Sequence, residues 1–313
     1  MTDPTAILAG IGGTPILELR RVVPSGSARV VVKLESMNPT GSMKDRMARA
    51  VIDGAIADGK LAAGGTVIEY TGGSTGTSLA FVCAAMGFPI TVVSSDAFSQ
   101  EKRDHMRALG ATVLEIPSHG RGTTKELIQS MIARAKELSS APGAFWCDQF
   151  NNVHAASGYG SMASELWEQC DASMDAIVQG VGTAQCITGL ARTLRARNAS
   201  IRVIAVEPAE SPALSGGAPG GHNIEGVGPG FVPPMWKPSL ADEILQVSTR
   251  DAKAMARRLA REEALFAGTS TGANVVAALR VAERLGAGRT VATVACDSGL
   301  KYLSTDVYGS VSE

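Results

Sequence analysis

The sequence predicts an α/β fold with two three-layer α/β/α domains, in which mostly parallel sheets carry helices on both faces. Three observations predict it. Short runs rich in β-branched residues alternate along the chain with longer helical patterns, which is the rhythm of parallel α/β folds. The runs are apolar almost without interruption, as strands are when both faces of a sheet are covered. The 313 residues exceed the size at which one core usually stops growing, about 250–300 residues, which fits two domains or one large α/β unit.

The predicted elements follow one another in a regular order from the N-terminus. Strands are predicted over Val30–Leu34, Thr66–Tyr70, Ile90–Ser94, Thr112–Ile116, Ala176–Gln179, Arg202–Val206, Ile244–Val247 and Thr290–Ala295. Helices are predicted over Lys44–Asp58, Thr75–Met86, Ser99–Leu109, Thr123–Leu138, Gly158–Cys170, Ile187–Arg197, Arg250–Glu263 and Gly272–Leu285. In such sheets ligands bind at the carboxyl ends of the strands, against the N-termini of the following helices. The strand-to-helix loops are therefore the places to search for function.

The composition argues against several classes of protein. The net charge is −1 and the basic residues are scattered, which gives no sign of a nucleic acid or a membrane surface as partner. The longest apolar stretch, Leu79–Val93, is shorter than the roughly 20 residues of a membrane span and contains Gly87 and Pro89. The N-terminus shows no signal-peptide pattern, and the widely spaced cysteines predict neither disulfides nor a zinc site, as in a reducing cytoplasm. The cysteines are Cys83, Cys147, Cys170, Cys186 and Cys296.

Four strand-to-helix loops are unusually rich in Gly, Ser and Thr, and they span Asn38–Arg46, Thr71–Gly76, Gly180–Cys186 and Ala267–Ala273. The first loop carries Lys44 at the point where a helix begins. A lysine there lies beside the backbone N–H groups at the positive end of a helix, and desolvation would favour a nucleophilic amine. On this local pattern alone, a solvated surface lysine remains the alternative interpretation.

The other three loops each have a binding and a structural interpretation. Thr71–Gly76 and Ala267–Ala273 offer N–H groups and hydroxyls to an anion, but the same residues would serve to cap a helix. In the third loop, Gly180 and Gly182 let backbone amides approach an anion such as a phosphate. Because Glu207 closes the next strand, that loop also fits a nicotinamide-dependent oxidoreductase. The individual patterns leave these alternatives open.

The joint order of the loops resembles the cysteine synthase and cystathionine β-synthase family, which has fold type II among the enzymes that use pyridoxal 5′-phosphate (PLP). The resemblance runs along nearly the whole chain. It is carried by GGTPILEL (Gly12–Leu19), KLESMNPTGSMKDR, VEP around Glu207, HNIEGVGPGF (His222–Phe231), ARRLAREEALFAGTSTGA (Ala256–Ala273) and SGLKYLST (Ser298–Thr305).

The resemblance implies a role for each loop. Lys44 would bind PLP as a Schiff base and later act as a general base on the substrate α-carbon. Ser270 would meet the pyridine nitrogen, where a hydroxyl makes the ring a moderate electron sink. The resemblance places the cofactor phosphate at Gly182, Thr183, Ala184, Gln185 and Cys186. It places the substrate at Thr71, Gly72, Gly73, Thr75, Gln149 and Gly226, with Gly228 beside them.

Three positions depart from the family pattern. Ser74 stands where the family has an asparagine that contacts the cofactor, and Gly72 stands where it has a serine. Ala184-Gln185-Cys186 replaces Gly-Gly-Thr at the phosphate. Backbone N–H groups can still donate at all three places, so we expect PLP binding to be retained and substrate preference to differ.

The resemblance implies β-replacement on an O-activated L-serine, most simply O-acetylserine with sulfide to give L-cysteine. The alternative nucleophiles are homocysteine, thiosulfate and a specialised amine, and a regulatory protein that has lost catalysis is a further alternative. A cytoplasmic homodimer is also expected, without a metal. The cofactor is expected in the cleft between a smaller domain, residues 38–147, and a larger domain formed by residues 1–37 and 148–313.

Overall fold

The computed structural model describes residues 5–120 and 124–309 of the chain. Its strands are β1 (Ile16–Leu19), β2 (Arg29–Lys33), β3 (Thr66–Tyr70), β4 (Ile90–Ser95), β5 (Thr112–Ile116), β6 (Ala144–Trp146), β7 (Ala176–Gly180), β8 (Arg202–Pro208), β9 (Glu243–Val247) and β10 (Thr290–Val294). Its α-helices are α1 (Lys44–Ala57), α2 (Ser74–Met86), α3 (Gln100–Ala108), α4 (Lys125–Leu138), α5 (Ala155–Gln169), α6 (Gln185–Arg197), α7 (Thr249–Glu262) and α8 (Thr269–Leu285).

The predicted strands and helices are confirmed, with ends that differ by at most three residues. The predicted start of α4, Thr123, lies outside the described residues. The strands β1 and β6 were not predicted, because runs of four and three residues are too short to show a period. Pairing with a neighbour defines them instead, since β1 is antiparallel to β2 and β6 is parallel to β3.

The chain divides into two compact units. The first unit comprises Met1–Gly12 and Asn38–Gly158, and the second unit comprises Gly13–Met37 and Tyr159–Glu313. These bounds differ from the predicted ones, which assigned residues 1–12 and 148–158 to the larger domain.

Hydrogen bonds explain both differences. The N–H of Gly12 donates to Oδ1 of Asn38 at 2.8 Å, which attaches the N-terminal segment to the first unit. The N–H of Gln149 donates to Oε2 of Glu69 at 3.1 Å, which attaches the segment after β6 to β3. The position of these segments therefore depends on contacts with residues far away in the sequence.

The first unit is built on a parallel sheet with the strand order β5-β4-β3-β6. One face is covered by α4 through a cluster formed by Ile68, Tyr70, Val93, Leu127, Met131 and Ala135. Val92 points to the opposite face, where it lies closely against Gly76 of α2. The loops that leave the carboxyl ends of β3 and β4 therefore lie next to each other at one edge of this sheet.

The second unit is built on a sheet with the strand order β1-β2-β10-β7-β8-β9, in which β1 is antiparallel to its neighbour and the others are parallel. Helices α7 and α8 cover one face with a large apolar cluster that includes Val178, Ile204, Met255 and Val281. On the other face, the buried Lys33 of β2 pairs at 2.7 Å with Glu165 of α5. Helices therefore cover both faces, as predicted.

Within the described ranges, no helix has both the length and the apolar character needed to cross a membrane. The five cysteines are buried free thiols.

Candidate active site

Lys44 is the first residue of α1 and follows a tight turn in the first unit. Gly41 has a φ of +71°, and its N–H donates to the carbonyl of Asn38 at 2.7 Å, so the chain reverses just before the helix. The buried carboxylate of Asp45 accepts the N–H of Thr40 at 2.8 Å, which ties the first helical turn back onto the loop. The backbone therefore fixes the position of Lys44.

The side chain of Lys44 is half-buried, and no described residue of the first unit is hydrogen-bonded to its Nζ. The backbone N–H of Lys44 donates to Oγ of Ser42 at 3.2 Å, which ties the start of α1 to the preceding turn. The hydroxyls of Thr40 and Ser78 lie 3.2 Å apart and connect this turn to α2. The amine is thus available to a ligand.

The loop between β3 and α2, predicted to bind a carboxylate, presents several N–H groups without partners. The N–H of Gly73 donates to Oγ1 of Thr71 at 3.1 Å, which folds the loop back on itself. The N–H groups of Gly72, Thr75 and Gly76 donate to no described residue. Such groups at the start of a helix suit an anion. Ser74 is the half-buried first residue of α2.

Gln149 is brought to this loop from the segment that follows β6. Its Oε1 accepts the hydroxyl of Thr75 at 2.9 Å, and its Nε2 donates to the carbonyl of Tyr70 at 3.3 Å. The preceding residue, Asp148, has a φ of +44°, a left-handed conformation that turns the chain toward β3. The predicted substrate residues of the first unit are therefore physically connected.

Glu69 was not singled out by the sequence, yet it lies directly beneath these residues. It is fully buried, and its oxygens accept the N–H of Tyr70 at 2.8 Å and the N–H of Gln149 at 3.1 Å. Burial raises the pKa of this carboxyl to about 8, against the opposing effect of the two N–H bonds. The only sequence signal was an acidic residue inside an apolar strand.

Two other side chains missed by sequence reasoning pack on the loop. A Cβ built at Gly72 would lie 2.6 Å from Cε1 of Phe98, so the ring occupies the space of a side chain at position 72. A Cβ built at Gly73 would collide with the aliphatic part of the buried Lys102. The packing of Phe98 therefore explains why glycine stands at position 72, where the family has a serine.

In the second unit, the loop Gly180–Cys186 connects β7 to α6. A Cβ at Gly182 would collide with the carbonyl oxygen of Gly226, so only glycine fits there. The N–H of Gly228 donates to the carbonyl of Val181 at 2.9 Å. The glycine-rich segment predicted at the site mouth therefore packs directly on the predicted phosphate loop.

The phosphate loop has the features of an anion site. The N–H groups of Gly182, Thr183 and Ala184 donate to no described residue. Ala184 has a φ of +64°, and a left-handed residue in such a turn lets successive N–H groups face one concavity. The buried Gln185 and Cys186 then begin α6.

Ser270 lies in the first turn of α8 and is 4% exposed. The hydroxyls on either side have structural partners, since Oγ1 of Thr269 accepts the N–H of Glu225 and Oγ1 of Thr271 accepts the N–H of Cys296. The hydroxyl of Ser270 makes no hydrogen bond to any residue in the described ranges. It is therefore the member of this trio that remains available to a ligand.

Asn274 connects the phosphate loop to the helix that carries Ser270, and the sequence reasoning missed it. Its Oδ1 accepts the N–H of Gly180 at 2.7 Å, and its Nδ2 donates to the carbonyl of Val294 at 3.0 Å. Asn274 is fully buried and lies one helical turn after Ser270. The sequence signal that could have identified Asn274 is a polar residue four positions after Ser270, on the buried face of the same helix.

Glu207, which favoured a nicotinamide enzyme, has a different role. Its carboxylate accepts the N–H of Leu214 at 2.8 Å and the hydroxyl of Ser215. It therefore anchors the loop that follows β8, which accounts for an acidic residue at this strand end.

The chain is similar to known proteins over nearly its whole length. Residues 7–297 match the family of pyridoxal-phosphate dependent enzymes. The chain is 41% identical over 304 residues to a cysteine synthase from Staphylococcus aureus, which covers 95% of each protein. A solved cysteine synthase from Entamoeba histolytica superposes with a TM-score of 0.90 at 35% identity, over 98% of this chain and 91% of that one. An O-acetylserine dependent cystathionine beta-synthase from Helicobacter pylori also gives 0.90 at 35% identity, over 99% of this chain and 100% of that one.

The chain belongs to the pyridoxal-phosphate dependent enzymes, with the fold type predicted from the sequence. Each unit contains groups that fit this cofactor. Among the residues that the structure describes, none is hydrogen-bonded to the amine of Lys44 in the first unit, or to the N–H groups of Gly182–Ala184 and the hydroxyl of Ser270 in the second. The close approach of Gly226 to Gly182 also leaves no room for a side chain that would shield the phosphate loop.

Proposed function

We propose that the protein catalyses β-replacement on an O-activated L-serine, most simply the reaction of O-acetylserine with sulfide to give L-cysteine and acetate. The observation that supports it best is the 41% identity to a cysteine synthase over 95% of both chains. Lys44, Gln149 and Ser270 stand in the loops that the family uses, and the geometry within each unit suits their roles.

In this proposal the first unit binds and activates the amino acid. The N–H groups of Gly72 and Thr75, together with Gln149, hold the substrate carboxylate at the N-terminus of α2. Nζ of Lys44 would hold the cofactor, and the same amine would act as the base that removes the proton from the substrate α-carbon. When bound, PLP stabilises the electron pair that this proton leaves behind.

The second unit holds the cofactor. The N–H groups of Gly182, Thr183 and Ala184 bind its phosphate, and the segment Gln185–Cys186 brings the positive end of α6 to the same place. The hydroxyl of Ser270 meets the ring nitrogen without holding it protonated, because a hydroxyl is a much weaker base than a carboxylate.

The reaction balances with these residues alone and the two substrates. The bond between Cβ and the ester oxygen breaks and acetate leaves, and then the sulfur of hydrosulfide bonds to Cβ. The amine of Lys44 returns the proton to the α-carbon, so no oxidant or reductant is consumed.

A second candidate differs only in the nucleophile. The chain is as similar to the Helicobacter pylori O-acetylserine dependent cystathionine beta-synthase as to the Entamoeba cysteine synthase, with a TM-score of 0.90 for both. The packing of Phe98 on Gly72 removes a side chain from the carboxylate loop, which further favours a changed preference. Homocysteine, thiosulfate and a specialised amine are therefore to be compared with sulfide. We also propose a homodimer and a cytoplasmic location, which the similarity to cysteine synthases supports.

The first prediction tests Lys44. Borohydride reduction should fix PLP to Lys44, and Lys44→Ala should reduce turnover by at least about a thousandfold, because the variant lacks the covalent anchor and the base. Peptide mass spectrometry locates the reduced adduct. Lys60→Ala, which removes an exposed lysine of the same unit, is the matched control and should keep full activity. Full activity in Lys44→Ala would remove Lys44 from the mechanism.

The substrates are identified by following the absorbance of the yellow protein during titration with O-acetylserine, O-phosphoserine and serine. The one that changes the spectrum is then combined with each nucleophile. A protein that takes up no PLP, or that responds to none of the three, would contradict the proposed function.

A further inference from the structure

We propose that Glu69 is a positioning residue, which sets the affinity for the amino-acid substrate by holding Gln149 against the loop Thr71–Thr75. This inference rests on the proposed function, because it assigns that loop and Gln149 to the substrate carboxylate.

The hydrogen bonds of Glu69 carry the argument. One oxygen accepts the N–H of Tyr70, the residue that leads into the loop, at 2.8 Å. The other accepts the N–H of Gln149 at 3.1 Å, across a sequence separation of 80 residues. A single buried side chain thus fixes both backbone segments that present groups to the carboxylate.

The side chain of Gln149 depends on this anchor. Its Oε1 accepts from Thr75 at 2.9 Å, and its Nε2 reaches the carbonyl of Tyr70 at 3.3 Å, close to the limit of a hydrogen bond. Asp148, just before it, is held in a left-handed conformation with a φ of +44°. Because such a conformation is unfavourable for a residue other than glycine, the segment needs contacts that hold it in place.

The surroundings make Glu69 chemically responsive. The titratable or polar groups around it are Tyr70 on its own strand, Trp146 on β6, and Cys147 and Asp148 after β6, and Cys83 on α2 acts in turn on Cys147. Burial raises the pKa of Glu69 to about 8 and the pKa of Cys83 to about 12, and it raises the pKa values of Cys147 and Tyr70 strongly. Among the groups whose pKa is shifted, Glu69 therefore has the value closest to neutral pH.

Two consequences follow for substrate binding. Below about pH 8 the neutral acid fixes the loop without adding charge. Above that pH the carboxylate adds a negative charge beneath the binding site of another carboxylate, which opposes binding. The KM of the amino-acid substrate should therefore rise as the pH passes through 8.

The test compares Glu69→Gln with the wild-type holoenzyme. The amide keeps the volume, but its NH2 group can only donate, so one of the two N–H groups that now donate to separate oxygens of Glu69 loses its acceptor. We expect the KM for the amino-acid substrate to rise about fivefold near pH 7, which corresponds to the loss of one hydrogen bond, with kcat nearly unchanged. We also expect the difference in KM between the two proteins to shrink above pH 8, where the wild-type carboxylate repels the substrate.

A second readout does not depend on turnover. Amide hydrogen exchange of the peptide that contains Gln149 should be faster in Glu69→Gln, because this N–H loses its acceptor. Glu35→Gln is the matched control, since Glu35 is fully buried and accepts the hydroxyl of Thr14 at 2.6 Å in the second unit. It should leave both the KM and the exchange of this peptide unchanged.

The outcomes separate the two proposals. If the wild-type protein performs no β-replacement, the proposed function fails. If the wild-type protein performs β-replacement but Glu69→Gln leaves both KM and amide exchange unchanged, the positioning role is wrong. It is also wrong if Glu35→Gln raises KM as much as Glu69→Gln does. Should Glu69→Gln not fold, slow exchange of the Gln149 amide in the wild-type protein would support the proposal, and exchange at the rate of an unprotected amide would overturn it.

Discussion

The pair formed by Gly72 and Phe98 shows how one residue alters a site that is otherwise built from backbone. The N–H of Gly72 donates to no described residue. The ring of Phe98 occupies the space that a side chain at position 72 would take. That ring also packs against the apolar cluster between β3, β4 and α4. The absence of a hydroxyl at position 72 is therefore coupled to the packing of the first unit.

A double-mutant cycle tests this coupling. Gly72→Ser should destabilise the protein by about 1–3 kcal/mol, because the new Cβ would lie 2.6 Å from the ring. In the Phe98→Ala background the same change should be nearly neutral, because the obstructing ring is gone. Urea unfolding at neutral pH measures all four proteins. Equal effects of Gly72→Ser in the two backgrounds would show that the ring does not constrain this position.

The sequence revealed the departure at Gly72 but could not explain it. Phe98 lies 26 positions further on, in the loop after β4, and neither motif nor period connects the two residues. The same holds for Glu69 and Gln149, which are 80 residues apart. Such pairs become visible only when neighbouring strands bring their carboxyl ends together.

At the scale of elements, the packing of α7 on α8 depends on Gly272. A Cβ at this position would collide with the carbonyl oxygen of Ala252 and lie 3.0 Å from the nitrogen of Ala256, both in α7. The two backbones therefore approach each other as closely as a glycine allows. The sequence predicts Gly272 at the start of this helix, beside a glycine-rich loop, but only the structure shows that it lies where α8 meets α7.

The prediction at this scale is a loss of stability in Gly272→Ala. Alanine is the better helix former by about 1 kcal/mol, but overpacking against a backbone costs about 1–3 kcal/mol, so steric conflict should prevail. Gly160→Ala in α5 is the control, since its Cβ would meet only Oγ1 of Thr193 at 3.1 Å. Urea unfolding should show a clear loss for the first variant and little change for the second. A stabilised Gly272→Ala would contradict the close approach.

At the scale of the whole molecule, the buried Glu69 makes stability depend on pH. Its pKa is about 8 in the folded protein, against 4.5 for an ordinary glutamate, so the folded state keeps a proton that the unfolded chain releases. The free energy of unfolding should therefore fall as the pH rises from about 4.5 to about 8, and this contribution should be constant above that range.

This prediction is measured by urea unfolding of the wild type and Glu69→Gln across that pH range. The wild type should lose stability relative to the variant as the pH rises, because the variant has no proton to release. Parallel curves would show that Glu69 does not hold its proton in the folded state.

The sequence by itself determined the order of strands and helices, the class of fold, the family resemblance and the loops that hold Lys44, Gly182 and Ser270. These features are local, since a period, a cap or a loop composition is written in neighbouring residues. The tertiary structure alone decided the short strands β1 and β6, the anchoring of Gln149 by Glu69, the bond from Asn274 to the phosphate loop, and the conflict between Gly72 and Phe98. Each of these is a contact between residues that are not neighbours in the sequence, and the chain acquires it only when the strands pair and the loops and helices pack against them.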